Sequence, residues 1–246
     1  MSLLDVAIAC TVGAYLGAAA PRIVYRWAVS SPAHARPACG WCGASYRRGP
    51  RGWAGPATCP QPCTMSNTED AVAGAVCAAV GCGLLAWRLP TNRPSEMCVL
   101  AAWLVLAGVG LILAQIDLAV YRLPTPILAA TAFVTTGLIG VTSFLTPDGR
   151  RLVTASVFGS LLYGGLYLAA SWVSRAQVGL GDVRLAAILG VGLGALGPVP
   201  LTIGILAPYV LATPLAVALM LRGGTVVTSI PFGPFMVTAA VLAALQ

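Results

Sequence analysis

The feature that most restricts this chain is a rhythm of long apolar runs parted by short polar ones. Runs of about 20 residues, enough for an α-helix to cross ~30 Å of hydrocarbon, occur near 3–20, 71–87, 97–116, 126–145, 152–173, 183–199, 201–221 and 230–245. In hydrocarbon each segment must satisfy its own backbone N–H and C=O groups, so such runs are helices. The sequence therefore predicts an all-α polytopic membrane protein of about eight transmembrane helices. Only 9% of its 246 residues are charged against 58% hydrophobic, too few for the polar surface of a water-soluble domain. The divide between the sixth and seventh runs rests on Gly197-Pro-Val-Pro-Leu201, and the last is short unless it begins near Thr225.

Charge gives the runs a direction. All 14 basic residues are Arg, which excludes Ser-Lys peptidases and Schiff-base chemistry. The single His, His34, excludes an H-E-x-x-H zinc protease and a Ser-His pair. Asp5 heads the first run while Arg22 and Arg26 follow it, the reverse of a cleavable secretory signal. That run is read as a retained span starting outside. Threading the spans from there puts Arg22, Arg26, Arg36, Arg47, Arg48, Arg51, Arg122, Arg175, Arg184 and Arg222 inside, against Arg88, Arg93, Arg150 and Arg151 outside. Ten against four satisfies the positive-inside rule for a cytoplasmic (inner) membrane. The organisation expected is a first transmembrane helix (1–28), a cytoplasmic loop (29–69), a second helix with its outer loop (70–96) and a six-helix unit (97–246).

Of the seven acids, Asp5, Glu69, Asp70, Glu96 and Asp148 sit at ordinary span boundaries. Asp117 differs, because the apolar stretch runs through it and a helix breaker arrives only at Pro124. Asp182, behind Gly179-Leu-Gly181, has three residues before the apolar run resumes. A charge well inside a bilayer costs roughly 2.5–3.5 kcal/mol on insertion scales, so each carboxylate calls for a reason. Two full crossings separate them, which puts both at one membrane face. Two carboxylates brought close cannot both ionise easily, so one keeps a proton as acid while the other acts as base on a water. The plainer readings are that Asp182 caps a helix starting at Val183, and that Asp117 pairs with Arg122 or Arg184.

Gly179-Leu-Gly-Asp182 followed by Arg184-Leu185 resembles the G-x-G-D-x-K-L motif of the prepilin peptidases, and Asp117 with Pro124 resembles that family's first Asp motif. Ile230-Pro-Phe-Gly-Pro-Phe235 is similar to its C-terminal segment, and Gly13–Arg22 to a weakened form of its first helix. The chain departs from the family at Arg184 (usually Lys), Thr125 (usually Asn or Asp) and Gly17 (usually Asn). The resemblance implies an aspartyl endopeptidase with Asp117 and Asp182 as the catalytic pair. Its substrates would be prepilins or pseudopilins, cut after the Gly that ends a short basic leader. Gly179 and Gly181 would let backbone approach the substrate, and Arg184 would tune the dyad or touch the substrate. The resemblance also raises methylation of the new N-terminus with S-adenosylmethionine as cofactor, which Gly17 and a short loop leave open. Alternatives are a presenilin-like peptidase, an ion-coupled transporter using the two Asp, and a non-catalytic pilus-assembly scaffold.

Cys10, Cys77, Cys82 and Cys98 fall in or beside apolar runs, where Cys acts as a small apolar residue. Cys39-Gly-Trp-Cys42 and Cys59-Pro-Gln-Pro-Cys63 instead lie on the cytoplasmic loop. In a reducing compartment two such pairs suit a structural tetrathiolate zinc. The loop is too short and too rich in Gly and Pro for its own hydrophobic core, so metal is expected as its main source of order. A paired-Cys loop after the first span resembles the bifunctional prepilin peptidases, whose longer loop has a Tyr-Pro stretch absent here. The glycine-rich Gly192–Gly197 reads as close helix packing and not a nucleotide loop. The loop arginines read as contacts to anionic lipid and not to nucleic acid.

Overall fold

The structure, a computed structural model, describes residues 3–29, 35–47, 49–55, 57–59, 69–173, 179–221 and 231–246. These residues form α1 (Leu3–Trp27), α2 (Pro50–Trp53), α3 (Glu69–Arg88), α4 (Pro94–Val120), α5 (Thr125–Leu145), α6 (Gly149–Val173), α7 (Leu180–Leu196), α8 (Pro198–Leu221) and α9 (Gly233–Ala244). The protein is all-helical. A helix stands at each of the eight predicted runs, and α2 is a single turn in the first loop. Six of them, α1, α3, α4, α5, α6 and α8, are long and apolar enough to cross a membrane. The other two, α7 and α9, are shorter. At 1.5 Å per residue, the 17 residues of α7 and 12 of α9 rise about 26 and 18 Å, short of ~30 Å of hydrocarbon.

The two short helices are short because they lie inside. Met236, Ala239, Ala240 and Ala243 of α9 are fully buried. They share one core with Trp103, Leu106 and Leu113 of α4 and Leu185, Leu189 and Leu193 of α7. The long helices turn Phe133, Phe144, Trp172 and Val210 outward instead. In lipid, helices associate through close packing at small residues. A Cβ on Gly17 would collide with the Gly74 carbonyl and one on Gly13 with that of Ala78, which seats α1 on α3. Gly190 and Gly194 meet Gly159 and Ala155 in the same way, joining α7 to α6. The glycine run of α7 is thus a packing surface. It ends at Gly197, whose φ of 117° is costly for any residue with a Cβ. Pro198 then opens α8.

The loop after α1 is clasped by arginines. Arg22 donates from Nε to the Ala57 carbonyl at 2.9 Å and from Nη2 to that of Cys59 at 3.4 Å. Arg26, buried, donates to the Gly52 and Arg36 carbonyls at 2.8 and 3.0 Å. Its guanidinium lies 3.5 Å from the Trp53 ring centre and 4.8 Å from that of Tyr46, a desolvated cation–π arrangement. Arg36 reaches back to the Tyr25 carbonyl at 3.2 Å. Arg22 and Arg26 therefore spend donors on the loop and Arg36 on α1, where the sequence suggested lipid headgroups. Metal is correspondingly not the loop's only source of order.

Candidate active site and metal centre

The site begins where α4 stops. Tyr121 caps α4 in the left-handed conformation (φ 53°) and donates its N–H to the Asp117 carbonyl at 2.8 Å. The helix thus ends four residues beyond the acid, before Pro124, which serves as the N-cap of α5. Asp117 is 4% exposed. Its Oδ2 accepts the Gly233 N–H at 2.9 Å, a donor at the first turn of α9, where the helix dipole favours negative charge. A Cβ on Gly233 would lie 2.8 Å from that oxygen. Phe232, one residue earlier, is held among Tyr209, Tyr167 and Phe235, with ring centres 5.4, 6.1 and 6.1 Å away.

Asp182 lies in the first turn of α7, which starts at Leu180 and not at Val183 as the sequence suggested. Its backbone N–H donates to the Gly179 carbonyl at 3.0 Å. The N-cap is Gly179, so Asp182 is the third residue of α7 and not the cap of a helix starting at Val183. It is also close enough to Asp117 to feel that charge. Asp117, Asp182, Gly179, Gly181 and Arg184 line one cavity of about 370 Å³, together with Leu123 and Thr125 on either side of Pro124.

Two expectations change in detail. The close approach at Gly181 is made by Leu123, whose Cβ would stand 3.0 Å from a Cβ on that glycine. Gly181 thus seats the α4–α5 link on α7. Arg184, exposed, donates from Nη1 to Thr125 Oγ1 at 2.8 Å, so two positions where the chain leaves the family motif are bonded to each other. Gly233, Phe232 and this bond escaped the sequence reading. The Pro-Phe-Gly-Pro sequence was the only signal for the first two, and it says nothing of where the glycine points.

The cysteine loop sits at the same end of the bundle, since Thr58 and Leu118, the neighbour of Asp117, line one cavity. Ala38 and Ser45 form an antiparallel bridge around a tight turn. Cys39 N–H donates to Ala44 and Gly43 N–H to Cys39, with Gly43 at φ 70°. The Cys42 and Trp41 N–H groups point at the Cys39 sulfur and bring its thiol down to about 6. The sulfurs of Cys39, Cys42 and Cys59 all lie within 4.8 Å of one another, and those of Cys42 and Cys59 are 3.3 Å apart. Bonds of ~2.3 Å to a tetrahedral metal imply sulfurs roughly 3.8 Å apart, so these three could hold a metal ion. Cys63, the expected fourth ligand, lies outside the described residues.

No family model, curated protein or solved structure matches this chain.

Proposed function

We propose that this chain is an intramembrane aspartyl endopeptidase of the prepilin peptidase type, removing leader peptides from prepilins or pseudopilins. The observation that carries the reading is that Asp117 and Asp182, 65 residues apart in sequence, line one cavity beside a glycine turn and an arginine. A carboxylate pair in a confined site shares a proton. The ionised member takes a proton from water as its oxygen attacks the scissile carbonyl, and the protonated member gives its own to the carbonyl oxygen. The proton held by the first then goes to the amine as the C–N bond breaks, and a hydroxyl of the tetrahedral diol returns a proton to the second, so the pair is restored with no covalent intermediate.

The membrane proposed is the cytoplasmic one, with the N-terminus outside and the dyad at the cytoplasmic face. The metal proposed for Cys39, Cys42, Cys59 and Cys63 is a structural zinc, since four thiolates leave no open position for chemistry.

The test is cleavage of a Gly-ended prepilin-like substrate by the purified chain and by its Asp117→Asn and Asp182→Asn variants in lipid, with folding checked by melting. The reading expects cutting after the Gly by the native chain and none by either variant. A variant cutting at near the native rate removes the dyad and favours a scaffold. Asp-dependent ion flux without cutting favours a transporter.

A further inference from the structure

Two cavities outside the dyad form one trough. The first, about 480 Å³, opens among the ends of α1, α3 and α4 beside the cysteine loop, and among the described residues Asp70 is the only charged one lining it. The second, about 350 Å³, continues between α3, α4 and α9 past Gly81 and Ala107 to Pro234 and Leu242. Cys77, Leu111, Gln115 and Leu118 belong to both walls. Along α3 the trough runs from Asp70 to Gly81, 11 residues or about 16 Å of helix. Gly81 adds to its width, for a Cβ there would meet no atom within 4 Å. Leu118 follows Asp117 in the chain, and Pro234 follows the Gly233 that binds it.

Resting on the peptidase reading, we infer that this trough holds the apolar helix of the substrate, with Asp70 at its mouth receiving the basic leader. The charges select this occupant. In a chain of net charge +7, a cationic leader is drawn to the acids, and among the described residues this mouth is lined by an acid and no arginine. A second groove, walled by α4 and α5 with Trp27 and Trp53, has no charged residue in its lining. Position also selects it. A helix lying in the trough reaches its end at the level of Leu118, and the chain beyond it can unwind towards Asp117. The small residues of the wall admit a close helix–helix approach.

The test uses the full chain in lipid vesicles and a synthetic single-span peptide with an Arg-rich leader ending in Gly. The photo-crosslinking residue p-benzoylphenylalanine replaces Gly81 in one variant and Val134, in the second groove, in another. The expected result is crosslinking to the peptide at 81 and not at 134, lost when the leader arginines are changed to Gln or when Asp70 is changed to Arg. In turnover, Asp70→Asn raises KM about tenfold with kcat kept, an effect on binding and not on chemistry. Gly137→Leu, where a Cβ also meets nothing within 4 Å, leaves both unchanged. Crosslinks at 81 to lipid only, preferred crosslinking at 134, or a native KM in Asp70→Asn overturns the proposal. Crosslinking at 81 without cleavage keeps the trough and sinks the peptidase reading. Cleavage without crosslinking at 81 does the reverse.

Discussion

Gly233 donates its backbone N–H to Oδ2 of Asp117 at 2.9 Å, joining the start of α9 to a carboxylate 116 residues earlier. This bond explains why a buried 12-residue helix occupies the centre of the bundle. Its N-terminus supplies a donor and a dipole where the long helices have no free N–H to give.

Gly233→Ala forces a Cβ to 2.8 Å from Asp117 Oδ2, which must break the bond or displace α9. A hydrogen bond to a charged group contributes about 1.5–3 kcal/mol. Cleavage is expected to fall by about ten- to a hundredfold with the fold retained, read by turnover and melting together. Phe232→Ala, which removes the aromatic anchor beside Gly233, should move turnover the same way by a smaller factor. Full activity in Gly233→Ala would show that the bond is dispensable.

The Arg184–Thr125 bond of 2.8 Å makes a separate prediction. Thr125→Val removes the acceptor on an exposed rim, so the loss is expected to be about 1 kcal/mol or less, a few-fold in kcat/KM. If the two residues act together, Thr125→Val in an Arg184→Ala background costs nothing further. Additive losses in that double-mutant cycle would show that they act independently.

Metal binding should depend on pH through Cys39. Its thiol is brought down to about 6 by the Cys42 and Trp41 N–H groups, against an ordinary value of ~8.5. A depressed acid stabilises the folded loop above its unfolded value and loses that contribution as pH falls through its folded one. Protons also compete directly with metal for the thiolate. Metal measured by atomic emission after dialysis should therefore hold at neutral pH and fall below about 6, and Cys39→Ser should weaken it throughout. Metal-free protein at neutral pH, prepared without chelator, would refute the centre.

Gly17 lies where α1 and α3 touch, and a Cβ there would collide with the Gly74 carbonyl. Gly17→Asn, the residue that the resembled family carries, must push the helices apart at a cost of about 1–3 kcal/mol. Gly165→Asn, where a Cβ meets nothing within 4 Å, should be neutral. Thermal unfolding in detergent compares them, and equal melting temperatures would contradict the packing.

Much of this was legible in the sequence because it depends on local pattern. Apolar length marked out the helices, since hydrocarbon forces every backbone group to be satisfied locally. The spacing of Asp117 and Asp182 put both at one end of the bundle by counting crossings, and the paired cysteines pointed to the three sulfurs that could hold a metal ion. What needed tertiary structure was every relation between distant segments. Apolar runs look alike whether lipid or protein covers them, so nothing in the sequence told how much of α7 and α9 is buried against the other helices. The Gly233 donor, the Leu123 contact at Gly181, the Arg184–Thr125 bond and the inward turn of Arg22, Arg26 and Arg36 each join residues whose pairing no periodicity encodes. They depend on which helix lies beside which, and in a bundle held by close packing at small residues that choice is made only when all the helices are together.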